Sequence, residues 1–215
     1  MNRVEAFEIT DPTTINGLIS VLGFAHLVTN GPEGLTSTAL PLVLDESPSP
    51  LGTLRGHLAR ANPQAALGPA PAECLVIFSG PHAYISPTAY ATATGTRKVV
   101  PTWNYLEVNV SGHLRIVTDP EWLRANVSEL TTIHEADQVD PWSISDAPAD
   151  FIDSMLKGIV GIEIEITKVQ AKAKLSQNRS EDDRDGVIAR LLEGSARDRE
   201  VAHLMASAGR LAGPS

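Results

Sequence analysis

Isoleucine and glutamate alternate through Val160-Gly161-Ile162-Glu163-Ile164-Glu165-Ile166-Thr167, and no other pattern constrains this 215-residue chain more. Successive strand side chains point to opposite faces, so Ile162, Ile164 and Ile166 line a buried face while Glu163 and Glu165 face away from it. The run leads into Lys172-Ala173-Lys174-Leu175-Ser176-Gln177-Asn178-Arg179. A helix is predicted next, opened by Ser180 and filled by Val187, Ile188, Leu191 and Leu192. Two lysines, an arginine and three small polar side chains therefore sit where a strand hands over to a helix. Backbone donors and cations converge at such a point, and anionic groups bind there. A solvated charged connector has the same composition.

The remaining elements follow from apolar spacing and turn residues. Thr10 and Asp11 before Pro12 predict a helix carrying Ile15, Leu18, Ile19 and Leu22. Strands are expected at 24–29 and 38–44, around the turn Asn30-Gly31-Pro32-Glu33-Gly34. Another is expected at 52–58, and a buried one at 74–78. Gly80-Pro81 is expected to break the chain before 82–85 resumes extended structure. A flexible loop at 91–98 should lead to 99–105. Ser111-Gly112 reads as a hairpin turn between 108–110 and 114–117. Asp119-Pro120-Glu121-Trp122 combines an N-cap, a first-turn proline and an acid at the positive dipole end. That helix should reach about Asp137. Ala147-Pro148-Ala149-Asp150 opens another, ending near Gly158.

Six or seven short hairpin-linked strands with helices grouped outside them define an α+β protein. The expected architecture is a small antiparallel barrel with peripheral helices. The strand–helix rhythm of a parallel sheet is absent. Residues 1–195 are expected as one domain with helical additions, and 196–215 as a C-terminal helix and mobile tail.

Charge and cysteine content narrow the function. A formal net charge of −9 argues against non-specific nucleic-acid binding. The single cysteine, Cys74, lies in an apolar run and reads as a buried, inert thiol. It excludes an intramolecular disulfide framework and multi-cysteine metal sites. No run is long and apolar enough to span a bilayer and no signal peptide is seen, so a cytoplasmic protein with no membrane partner is expected.

Several side chains could carry chemistry. His57 alternates with Arg55 on the polar face of its strand, with Arg60 close by. Neutral imidazole is a good iron ligand, although a lone strand histidine ordinarily plays a hydrogen-bonded structural part. His82 and Tyr84 fall on one face of theirs. Pro101-Thr102-Trp103-Asn104-Tyr105 packs two aromatics among polar groups, as a planar cofactor or a plain core corner would require. His134-Glu135 lacks a second histidine at ligand spacing and reads as a solvated helix face. No glycine-rich phosphate loop, nucleophile elbow or paired-carboxylate motif appears.

Arg55-Gly56-His57-Leu58-Ala59-Arg60-Ala61-Asn62-Pro63-Gln64, Ser79-Gly80-Pro81-His82-Ala83-Tyr84-Ile85-Ser86-Pro87, Val100-Pro101-Thr102-Trp103-Asn104-Tyr105 and Lys174-Leu175-Ser176-Gln177-Asn178-Arg179 occur in that order. Together with Ala147-Pro148-Ala149-Asp150-Phe151 they resemble the PaiB family of FMN-binding negative transcriptional regulators, over about residues 15 to 192. The resemblance implies the split β-barrel of flavin-binding and related haem-binding proteins, in a homodimer with pockets at the subunit interface.

The chain also departs from that family's pattern. It has Ala65, Ala89 and Ala173 where the pattern carries tryptophan, Thr88 where it carries serine, and Asn2-Arg3-Val4-Glu5 in place of a Tyr-x-Pro signature. An aromatic side chain buries roughly 150–250 Å². Three such losses leave space that something must fill, and haem b is one filler. The resemblance then extends to the haem-dependent piperazate synthases, which close the N–N bond of L-piperazic acid from N5-hydroxy-L-ornithine with loss of water. On that expectation His57 is the metal ligand, and Lys174 a second ligand or acid/base group. Tyr84 is a further catalytic candidate. Arg55 and Arg60 pair with propionates or a substrate carboxylate. His82, Trp103, Asn104, Lys172, Ser176, Gln177 and Arg179 complete the cofactor site. The alternative is an FMN-binding PaiB-like regulator in which the Lys/Arg tail holds the FMN phosphate. A third class is a dimeric interaction module with no cofactor.

Overall fold

The computed structural model describes residues 4–32, 34–47, 49–67, 70–94 and 98–211. Its strands are β1 Glu8–Ile9, β2 Phe24–Gly31, β3 Gly34–Pro41, β4 Val43–Asp45, β5 Thr53–Ala59, β6 Ala72–Ile85, β7 Thr102–Val117 and β8 Ile159–Lys174. Its α-helices are α1 Pro12–Leu22, α2 Pro120–Glu135, α3 Ala149–Leu156, α4 Glu181–Leu192 and α5 Ala196–Leu211. The strands form one sheet in the order β3-β2-β6-β7-β8-β5-β4, with β1 added on β8. The pairings β1–β8, β2–β3, β2–β6, β4–β5 and β5–β8 are antiparallel.

Three of the expected helix starts are real caps, while α3 begins at Pro148 without a side-chain cap. The Asp11 carboxylate accepts from the backbone N–H of Thr14 at 2.8 Å, and that of Asp119 from Trp122 at 2.7 Å. Ser180 Oγ accepts from the N–H of Asp183 at 3.3 Å. Each satisfies a donor that the first helical turn leaves without a partner.

Two expected breaks are not breaks. β6 runs straight through Gly80-Pro81, and β7 straight through Ser111-Gly112. A methyl group on Gly112 would stand 2.5 Å from the carbonyl oxygen of Glu165. A methyl on Gly80 would meet the Leu106 side chain at 3.0 Å. These glycines supply close approach, not turn conformation. β8 likewise does not stop at Thr167 but carries Lys172 and Lys174 as strand residues.

The chain divides into two compact units. One comprises Met1–Ile19, Ser79–Asn109 and Gln170–Ser215; the other comprises Ser20–Phe78 and Val110–Val169. The second unit buries Leu27, Leu54, Val76, Phe78, Ile162 and Ile164 completely or nearly so. In it Leu123 of α2 packs with Ile152 and Leu156 of α3. The first unit buries Ile85, Tyr90, Leu106, Leu175, Val187 and Met205. Residues 196–211, expected as an appended helix, are docked through Val201, Ala202 and Met205, all at most 1% exposed. The expected loop at 91–98 and the end of the expected tail lie partly outside the described residues. Among the described residues no helix is long and apolar enough to cross a membrane.

Candidate cofactor site

The first unit gathers most of the side chains expected to hold a cofactor. Asn104 on β7 is fully buried and Ser176 is 4% exposed. Asn104 Nδ2 donates to Ser176 Oγ at 3.0 Å, and Ser176 Oγ lies 3.2 Å from Asn104 Oδ1, to which it can donate. Ser176 has φ 63°, the only positive value among the described non-glycine residues. An L-residue enters that region at a cost, so the turn after β8 is held by its contacts. Gln177 closes it from the other side: its Oε1 accepts from the N–H of Leu175 at 2.7 Å, and its Nε2 donates to the carbonyl of Ala173.

Three cations surround this turn. Lys174 Nζ donates to the carbonyl of Trp103 at 2.8 Å and to the Thr102 hydroxyl. Lys172 is 5% exposed, with its ammonium 5.6 Å from the centre of the Tyr105 ring. The Arg179 guanidinium lies over the Tyr90 ring at 4.8 Å. Burial pushes the Lys174 ammonium below its ordinary pKa, and the like charges of Lys172 and Arg179 push it further the same way.

Beside the cations stands an aromatic ledge. Trp103 and Tyr84 are 53% and 52% exposed, with ring centres 5.9 Å apart in an edge-on arrangement. His82 is 6.1 Å from Trp103, and its Nε2 lies 3.3 Å from the Arg197 guanidinium. Next to Tyr84 opens a cleft of about 290 Å³, lined by Ser86, Ala89, Val187, Arg190 and Asp198 among others.

The second unit holds the other candidates, each in its own setting. Arg55 bonds the Glu129 carboxylate at 2.8 Å and lies 3.4 Å from Asp45. Arg60 donates to the carbonyls of Lys157 and Ile159 at 2.8 and 2.9 Å, where it satisfies the end of α3. Both guanidiniums thus have partners inside the chain. His57 is half-buried and its Nδ1 has no partner in the chain. Burial lowers its pKa and favours the neutral ring. Among the described residues, no three His, Cys, Asp or Glu side chains come together as a metal-ligand set.

The three alanines in place of tryptophan differ in what they leave. Ala173 is 2% exposed and fully packed. Ala89 lines the cleft, yet α4 closes on its backbone so tightly that Gly186 has no room for a side chain. Ala65 is half-buried beside Gln64. Small neighbours and a close helix therefore take up part of the expected vacancy.

Sequence reasoning missed Tyr90, Asp183, Arg197 and Met205. Tyr90 is 2% exposed with its hydroxyl unpartnered in the chain. Asp183 holds the backbone N–H and hydroxyl of Thr92 at 2.9 and 3.0 Å. Met205 Sδ lies 3.3 Å from Asn104 Nδ2. The Ser86–Tyr90 segment was a signal for Tyr90; the helix bearing Arg197 and Met205 carried none.

An antiparallel α+β sheet of this order, with peripheral helices, is the flavin-binding split-barrel class of fold. The FAD and haem binding protein of Mycobacterium smegmatis shares it, with a TM-score of 0.54 at 12% identity over 87% of this chain and 80% of that one. The chain belongs to the family described as "Putative FMN-binding domain", whose model matches residues 1–168. It is 33% identical to the protease synthase and sporulation protein PAI 2 of Bacillus subtilis, over 93% of each chain. An uncharacterized protein of Emericella nidulans is 36% identical, over 80% of this chain and 85% of that one. These relationships favour the flavin alternative over the haem-dependent N–N cyclisation expected from the missing indoles. Nothing in them points to piperazate chemistry. The family match ends before Lys172, so the cationic turn has to be judged on its own chemistry.

That chemistry fits a flavin nucleotide. A phosphate needs converging cations and hydroxyls, and the turn offers Lys172, Lys174, Arg179 and Ser176. A flat conjugated ring needs an exposed aromatic surface, which Trp103 and Tyr84 present.

Proposed function

We propose that this protein binds FMN, as a PaiB-like flavoprotein, with Lys172, Lys174 and Arg179 holding the phosphate and Trp103, Tyr84 and His82 meeting the ring system. One observation carries the reading: Lys174 is pinned by the carbonyl of Trp103 while facing two further cations that oppose its charge. Like charges near a partly buried ammonium disfavour its charged form, and an added anion offsets them. A dianionic phosphate would do so. Bound flavin would supply one- or two-electron transfer. The chain's own part is to bind and orient it. The same reading takes the protein as a homodimer, which light scattering on the purified protein tests.

Titration with FMN, followed by flavin fluorescence, tests the assignment. Removing a charge-assisted hydrogen bond costs about 1.5–3 kcal/mol, so Lys174→Ala and Arg179→Ala should each weaken binding by about 10- to 100-fold. Absence of binding, or affinities unchanged in both variants, would overturn it.

A second reading rests on His57. Its neutral, unpartnered ring on the polar face of β5 suits haem ligation. A Soret band that His57→Ala abolishes would support it. No haem absorbance after reconstitution would remove it.

A further inference from the structure

Tyr90 is 2% exposed, and the Arg179 guanidinium lies over its ring at 4.8 Å from the centroid. The ring is placed independently of the guanidinium. The segment carrying it starts at Ser86, whose hydroxyl accepts the N–H of Thr88 at 3.3 Å, and passes through the 3-10 turn Pro87–Ala89. Two residues beyond Tyr90, the Thr92 N–H and hydroxyl are held by the Asp183 carboxylate at 2.9 and 3.0 Å. Asp183 belongs to the first turn of α4 and is 3% exposed. Gly186, three residues on, approaches the Ala89 carbonyl too closely for any side chain. Arg179 directly precedes Ser180, the N-cap of the same helix. Ring and guanidinium are therefore both fixed relative to the start of α4.

An aromatic face holds a cation without neutralising it. A carboxylate partner, such as Glu129 for Arg55, offsets the charge and takes up an N–H donor. A ring attracts the guanidinium through its quadrupole, most strongly where water is kept away, and leaves charge and donors for another anion. The Tyr90 hydroxyl is buried without a hydrogen bond in the chain, so the ring is the part of the side chain that acts on Arg179. Lys172 stands over the Tyr105 ring in the same way, at 5.6 Å.

We infer that Tyr90 is a positioning residue of the phosphate site: its ring fixes the Arg179 guanidinium so that a phosphate dianion meets it with charge and donors still available. Ordering a long side chain before the ligand arrives removes part of the entropy cost of binding. The inference rests on the flavin reading for its ligand, and Tyr90 acts on FMN through Arg179.

Tyr90→Leu removes the aromatic face and keeps an apolar side chain, whereas Tyr90→Phe keeps the face. Tyr90→Leu should weaken FMN binding by about 2- to 30-fold, the range of one cation–π contact. It should leave the affinity for riboflavin, which lacks the phosphate, unchanged. Tyr90→Phe should bind FMN as the unaltered protein does. In an Arg179→Ala background Tyr90→Leu should add no further loss, because the two residues act through one contact. In the ligand-free protein the side-chain Nε–H NMR signal of Arg179 should be displaced by the ring current. It should stay displaced in Tyr90→Phe and return towards the other arginines in Tyr90→Leu. Unchanged FMN affinity in Tyr90→Leu, equal weakening of FMN and riboflavin, additive losses in the double variant, or an Arg179 signal insensitive to the leucine would each overturn the inference. If the unaltered protein binds no FMN, the flavin reading falls by itself, and the Arg179 signal still decides whether Tyr90 holds the guanidinium. If Tyr90→Leu does not fold, an undisplaced Arg179 signal in the unaltered protein overturns the inference and a displaced one supports it.

Discussion

Asn104 and Ser176 are joined through one hydroxyl: the amide nitrogen lies 3.0 Å and the amide oxygen 3.2 Å from the same Oγ. This pair ties β7 to the turn that follows β8, and with it the positions of Lys174 and Arg179. Ser176 pays in backbone strain for that contact, with φ 63°. Ser176→Ala keeps the strain and loses the bond, so it should lower unfolding free energy by about 1–3 kcal/mol. Ser176→Gly relieves the strain while losing the bond, and should cost less than the alanine variant. Urea denaturation of both variants checks the order; the reverse order would show that the turn does not need a left-handed residue.

Gly112 lies inside the continuous strand β7, at a close approach to β8. Because a methyl there would meet the Glu165 carbonyl at 2.5 Å, Gly112→Ala should destabilise by about 1–3 kcal/mol. Gly17, inside α1, has nothing within 4 Å of the same added methyl. Gly17→Ala should therefore stabilise by up to about 1 kcal/mol through helix propensity. Denaturation midpoints of the two variants should move in opposite directions.

His57 should make stability depend on pH. Burial lowers its folded pKa below the ordinary 6.5. Between the folded and unfolded values the unfolded chain binds more protons, so stability rises with pH in that window. The penalty is fully present below the folded pKa and gone above about 6.5. A series of urea midpoints from pH 4.5 to 7.5 should fall on acidification more steeply for the unaltered protein than for His57→Gln. Parallel curves would mean that the ring titrates as it does in the unfolded chain.

Cys74 should be silent in the native protein. It is 8% exposed, and burial pushes its thiol pKa up to about 11. The thiolate is the reactive form, so almost none is present near neutral pH. A thiol-reactive chromophore should label the protein only after guanidinium unfolding. Rapid labelling of the folded protein at pH 8 would contradict the burial.

The helix caps at Asp11, Asp119 and Ser180 were legible because a cap is a local event: one side chain and a backbone donor three residues on. The Ile/Glu alternation placed β8 and chose its buried face for the same reason, since period two needs no distant partner. The two glycines were misread because glycine marks both a turn and a close approach. Only the neighbour, Glu165 for Gly112 and Leu106 for Gly80, tells which.

The order of motifs along the chain, by itself, determined the family and the flavin-type α+β class, and local spacing determined where helices begin and which faces of strands are apolar. Tertiary structure alone decided which polar groups find partners: Arg55 reaches Glu129 and Arg60 the carbonyls beyond α3, while Lys174 meets two more cations and Gln64 Oε1 meets nothing. The reason is physical. A side chain's charge and hydrogen-bonding capacity are written in its residue type, but its electrostatic environment is the sum over atoms that folding brings from far along the chain.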